Sequence, residues 1–122
     1  MKDLFWMAVC VYHEARGEPE EGKIAVCHVI MNRVIKRGKS IKEVVLQPYQ
    51  FSWANGGARP AINDYDSLEQ CYQACIKCFD ERAEGKTLER ADHYFADYIK
   101  TPSWAKNMKK IKKIGRHVFF RE

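Results

Sequence analysis

The feature that most limits the fold is the run from about Glu20 to Arg37. Ile24, Ala25, Val26, Cys27, Val29, Ile30, Met31, Val34 and Ile35 crowd it with few polar interruptions. A helix built from that run is apolar on nearly every side, so it is stable only when other elements surround it. The expected architecture therefore has this helix at its centre, ended by Gly38. Asn32 and Arg33 break the apolar run, and buried polar groups need partners. They are expected to pair with buried carboxylates, with Glu14 or Glu18 as candidates.

Ahead of it, Leu4, Met7, Ala8 and Val11 recur at the steps of one helix face. Gly17 suits the left-handed position after that helix, and Pro19 suits the first turn of the next. The stretch Tyr12-His13-Glu14-Ala15-Arg16-Gly17-Glu18 is thus a helix end that delivers two carboxylates into a corner. Glu14 sits where the helix dipole disfavours an anion. Packed beside Phe5, Trp6 or Tyr12, its carboxyl would hold its proton more tightly and serve as a general acid. A solvated surface helix end fits the same residues.

Ser40-Ile41-Lys42-Glu43 has the capping-box pattern and opens a short helix to about Leu46, which Pro48 ends. A long irregular stretch from Gln47 to Asp66 follows, and loops of that length are often functional. Its Tyr49, Gln50, Phe51, Ser52, Trp53 and Asn55 suit a sugar ring, with aromatic faces for stacking and amides for the hydroxyls. They equally suit a loop pinned to the core. Ser67-Leu68-Glu69-Gln70 is expected to cap a fourth helix to about Ala83, with Gly85 after it. His93 to Ala96 reads as a short strand, Pro102-Ser103-Trp104 as a helical turn, and Lys112 to Phe120 as a hairpin bending at Gly115.

With 122 residues, 46% of them hydrophobic and 30% charged, the chain is expected to form one globular domain, 1–122. No apolar run approaches the roughly 18 residues of a membrane span. The N-terminus lacks a signal-peptide layout, so the expected route is synthesis in the cytoplasm and release by other means. From Lys100 onward there are eight basic residues against one acid, so the net charge of +5 belongs to the tail. Such a patch favours a polyanion: nucleic acid, anionic lipid or an acidic wall polymer. A basic polyanion-binding module without enzymatic activity is therefore the competing class.

The five cysteines, with Cys71, Cys75 and Cys78 crowded together, do not form a disulfide framework and are expected to be reduced. Their spacing resembles an iron–sulfur motif, yet they fall on one stripe of a predicted helix, as core thiols would. His13-Glu14 starts like a zinc-protease motif, but Gly17 stands where the second histidine belongs. Neither a metal nor a cofactor is expected. No nucleophile elbow or phosphate loop is present, which leaves Glu14 and Glu18 as the acid–base candidates.

Glu14-Ala15-Arg16-Gly17-Glu18, Gly22, Ala25-Val26 and Asn32-Arg33 resemble the SleB-type cell wall hydrolases, the spore-cortex-lytic enzymes and their relatives. Val44 to Gln47, Gln50-Phe51-Ser52, Tyr94-Phe95, Trp104 and Ile114 to Phe119 continue the likeness in order. One departure is His13, where that family often has glycine. The resemblance implies a mainly helical, lysozyme-like α+β domain with a small antiparallel sheet. It also implies cleavage between N-acetylmuramic acid and N-acetylglucosamine, with Glu14 as the essential acid. Glu18, Gln50, Phe51, Ser52, Tyr94 and His117 are the expected substrate-binding residues. Peptidoglycan strands are the expected partner, with no nucleic acid, and the chain is expected to act as a monomer. A phage or prophage lysin and a spore germination enzyme are both compatible sources. Two-carboxylate hydrolysis needs a second acid about 5 to 9.5 Å away, whereas a transglycosylase needs only one glutamate. The one-glutamate route is expected, with Glu18 a structural partner of Arg16 or Arg33.

Overall fold

A computed structural model describes residues 2–47 and 62–122. Gln50, Phe51 and Ser52, like Tyr49, Trp53 and Asn55, lie outside the described residues. Helices α1 (Lys2–Ala15), α2 (Glu20–Arg37), α3 (Ile41–Leu46) and α4 (Tyr65–Ala83) precede strands β1 (His93–Ala96), β2 (Lys109–Ile114) and β3 (His117–Arg121). The α+β expectation holds: a helical layer carries one antiparallel sheet of order β1-β3-β2.

Helix α2 is the centre that its composition demands. It is buried from Gly22 through Ile30 and packs against α1, α3 and α4. Val26, Cys27, Val29 and Ile30 are wholly excluded from solvent. Each large side chain so buried contributes about 1.5–3 kcal/mol. Gly38 ends α2 at φ 64°, its N–H donating to the Val34 carbonyl. Ser40 and Glu43 form the expected capping box of α3.

Three local expectations are corrected. Gly17 does not take the left-handed conformation; positive φ among the described glycines occurs at Gly38, Gly85 and Gly115. The corner instead closes through Glu18 N–H to the Ala15 carbonyl and Lys23 Nζ to the Glu18 carbonyl at 2.6 Å. Pro19 stands just before α2 as its N-cap rather than inside its first turn. Helix α4 starts one turn early, because Asp64 caps it by accepting from Ser67 N–H, so Ser67 lies within the helix. Tyr12 fixes that start: its buried hydroxyl accepts from the N–H groups of Asn63 and Asp64.

Asn32 bonds backbone carbonyls rather than a carboxylate, whereas Arg33 acts on Glu14 through its charge while its Nε bonds a carbonyl. Asn32 Nδ2 donates to the carbonyls of Thr87 (2.9 Å) and Ala91 (2.7 Å). Between them Leu88, Glu89 and Arg90 all have positive φ, at 53°, 50° and 62°. Three consecutive left-handed non-glycine residues are costly, and such a turn persists only where tertiary bonds hold it. Arg33 Nε donates to the Asp92 carbonyl, two residues past that turn. The turn delivers the chain into β1, whose register sets Tyr94 opposite Phe119.

All five cysteines are free and buried. Cys27 and Cys75 touch between α2 and α4, with Sγ atoms 3.4 Å apart. No group of metal-binding side chains occurs among the described residues, and no described helix is long and apolar enough to cross a membrane.

Candidate active site

Glu14 occupies the last turn of α1 and is half-buried. Its hydrogen-bond partner is Tyr94 of β1, whose hydroxyl donates to Glu14 Oε1. The Tyr94 ring is itself packed between His117 and Phe119, with centroids 4.9 and 5.5 Å away. Burial raises the Glu14 proton affinity above the ordinary glutamate value; the Tyr94 bond and the Arg33 charge offset part of that rise. Burial and the nearby Glu14 push Tyr94 far up, so it stays a neutral donor. One Glu14 oxygen is thus fixed by the protein.

Glu18 has another task. Its Oε1 accepts from the backbone N–H of Arg116 at 2.7 Å, in the turn between β2 and β3. That replaces the expected pairing with Arg16 or Arg33: Arg16 lies over the Tyr12 ring, 4.7 Å from its centroid. The approach is so close that it selects glycine at position 115. There φ is +56°, and a Cβ would stand 2.6 Å from Glu18 Oε1. The corner after α1 is therefore pinned to the sheet by one carboxylate. His117 Nδ1 lies 3.6 Å from the same oxygen. Burial lowers the His117 proton affinity, and the charges of Glu18 and Asp97 work against that.

Glu14, Glu18 and His117 line one cleft of about 220 Å³, shared with His13, Tyr98 and Arg116. Tyr94 backs it. The structure thus brings together four of the seven site residues expected from sequence; the other three lie in 48–61. Burial, then the Arg16 charge, lowers the His13 proton affinity and favours its neutral form beside Glu14. Two larger cavities, of about 420 and 500 Å³, lie against α2 and α4 and do not contain Glu14. Sequence reasoning missed Tyr98 and Arg116. Arg116 precedes His117 directly, which was the available signal.

The comparisons with known proteins bear on the family and the fold. Residues 17–120 match the family model described as Cell Wall Hydrolase. The chain belongs to the cell wall hydrolase family. Glu14 falls just before the matched span, but the alignment with the spore cortex-lytic enzyme of Bacillus subtilis covers 96% of this chain and takes it in. That relative is 30% identical over 119 residues, and the spore cortex-lytic enzyme of Oceanobacillus iheyensis is 32% identical over 119. The chain spans only 37% and 41% of their lengths. Among solved structures, the catalytic domain of the germination-specific lytic transglycosylase SleB from Bacillus anthracis superposes with a TM-score of 0.79. It is 31% identical, covering 99% of this chain and 95% of that one. The catalytic domain of Bacillus cereus SleB gives 0.79 at 30% identity, covering 98% and 89%. The SleB resemblance and the mainly helical fold are thereby established for this cell wall hydrolase.

Proposed function

We propose that this domain cleaves peptidoglycan strands between N-acetylmuramic acid and N-acetylglucosamine as a lytic transglycosylase. The observation that carries the reading is the Glu14 carboxyl: burial holds its proton, Tyr94 fixes one oxygen, and the cleft opens beside it. Protonated Glu14 gives its proton to the glycosidic oxygen as that bond breaks. The acetamido group of the muramic residue stabilises the resulting cation. Glu14, now a carboxylate, then removes the proton from the 6-hydroxyl, which closes the anhydro ring. As Glu14 gains charge, the Tyr94 hydroxyl and Arg33 support it, so both states of the acid have a stabilising neighbour.

Glu18 supports the one-glutamate route because its Oε1 is committed to the Arg116 N–H. Tyr94 is a positioning residue for Glu14 in this reading, and His117 forms the cleft wall behind it. Gln50, Phe51 and Ser52 are proposed to hold a sugar. Strand β2 presents Lys109, Lys110, Lys112 and Lys113, all exposed, which favours attachment to an anionic wall. The names of the matched relatives support spore cortex as one form of the substrate. Glu14→Gln, a nearly isosteric change, is expected to abolish clearing of a peptidoglycan suspension with the fold intact. Clearing at the parental rate would remove Glu14 from the chemistry.

A further inference from the structure

A second set of reactive side chains lies in the core, where α2 meets α4. Cys78 and His28 are both buried there, with Cys78 Sγ 3.5 Å from His28 Nδ1. His28 Nε2 lies 2.8 Å from Glu81 Oε1. A carboxylate only accepts hydrogen bonds, so Nε2 carries the imidazole proton. Arg82 Nη1, which only donates, stands 3.1 Å from Nδ1, so that nitrogen is the bare one. A bare ring nitrogen is therefore aimed at a thiol, and Glu81 holds the ring in that tautomer. Nucleophile, base and orienting acid stand in the order that activates a cysteine. Beside them, Cys27 bonds the Cys78 sulfur and lies 3.4 Å from the Cys75 sulfur. None of these groups lines the Glu14 cleft.

The surroundings separate this thiol from its neighbours. The Cys27 bond, with burial opposing it, and then the His28 bond and the His28 and Arg82 charges lower the Cys78 proton affinity. Burial raises that of Cys27, as do its bonds to Cys75 and Cys78, so Cys27 remains a thiol. Cys71, on the same helix, is pushed up to about 11, chiefly by burial. Cys78 has no exposed surface, which keeps a polymer or an ester away from its sulfur. His28 and Glu81, however, line the cavity of about 420 Å³, and Arg82 lines the one of about 500 Å³. A reagent the size of water reaches the ring that covers the sulfur. We infer that Cys78, with His28 as its base and Cys27 as its resolving thiol, is a peroxide-reactive site that closes a disulfide between α2 and α4. His28 takes the Cys78 proton, and the thiolate attacks one peroxide oxygen. The O–O bond breaks, the sulfur is oxidised to a sulfenic acid, and the departing hydroxide takes the proton back from His28 as water. The Cys27 sulfur then displaces hydroxide from the sulfenic sulfur, and its own proton makes that hydroxide a second water. Two thiols and one peroxide become one disulfide and two waters. Nothing in this chemistry depends on glycan cleavage.

The test follows each thiol of the reduced, folded chain under dilute hydrogen peroxide at pH 6, by mass spectrometry of alkylated peptides. An ordinary thiol is only about 0.3% thiolate at that pH, so an activated one stands out. Cys78 is expected to react about tenfold ahead of Cys10 and Cys71, and to end in a disulfide with Cys27. In Cys27→Ala the sulfenic acid should persist at Cys78, where a cyclic dione traps it. Glu81→Ala removes a carboxylate that is 38% exposed and should erase most of the lead at an unchanged melting temperature. Cys10 or Cys71 oxidised as fast as Cys78, oxidation only once the chain unfolds, or a disulfide at Cys78 that forms without Cys27 would overturn the inference. A lead that survives Glu81→Ala, or one lost only in step with stability, would overturn it too, by making these contacts structural.

Discussion

Gly115→Ala should be far more destabilising than an exposed turn substitution normally is. The residue has φ +56°, where a non-glycine side chain costs about 1 kcal/mol. Its new Cβ would meet Glu18 Oε1 at 2.6 Å and Pro19 Cδ at 3.0 Å. Glu18 can relieve the clash only by withdrawing, yet its side chain is 12% exposed and anchored to Arg116 N–H at 2.7 Å. A hydrogen bond to a charged group is worth about 1.5–3 kcal/mol, so the expected total loss is about 3 kcal/mol. For a domain of this size that lowers the melting temperature by about 10 °C. Thermal unfolding followed by circular dichroism reads it directly. The cause is isolated by repeating the substitution in a Glu18→Ala background, where the oxygen and its bond are already gone. There Gly115→Ala should cost only its backbone share and the close approach to Pro19 Cδ, giving a coupling of about 2 kcal/mol. Equal losses in both backgrounds would refute the proposed clasp between the corner and the sheet.

The remaining predictions concern Glu14 and the left-handed turn. Because Glu14 must donate a proton, activity should fall as pH rises through its raised pKa; the Tyr94 bond opposes that rise, so Tyr94→Phe should move the alkaline limb to higher pH. The maximal rate should also fall about tenfold as positioning is lost, and a limb that stays or moves down would exclude the bond from acid tuning. The same raised pKa makes the Glu14 contribution to stability full below the ordinary glutamate value and lost as pH rises through the folded one. Glu14→Gln should therefore gain stability over the parent progressively with pH in chemical denaturation. Asn32→Leu removes two bonds to the turn at Leu88–Arg90 and should cost about 2–4 kcal/mol, with faster proteolysis there; unchanged cleavage would mean the turn holds itself.

What was legible in the sequence was whatever a few neighbouring residues decide. Ser40 with Glu43, the apolar girth of α2 and the glycines at 38 and 115 each carry their structural consequence locally. Tertiary contacts produced the misreadings. Helix α4 begins at Tyr65, capped by Asp64, because the Tyr12 hydroxyl, from another helix, holds that backbone. No local rule predicts Leu88, Glu89 and Arg90 in left-handed conformations; Asn32 imposes them from α2. Glu14 was recognisable as an acid from its place at a helix end, but its partner Tyr94 lies 80 residues away. Glu18 was misassigned to an arginine side chain because its true partner is a backbone N–H, which leaves no residue type to read.

The chemistry of the cut end tests the central claim most directly. Peptidoglycan digested in heavy-oxygen water should release fragments with anhydro ends, one water lighter than hydrolysed ends and free of the label by mass spectrometry. Glu14→Gln should release neither kind. Labelled reducing ends from the parent chain would contradict the one-glutamate mechanism and return a second carboxylate, with its bound water, to the site.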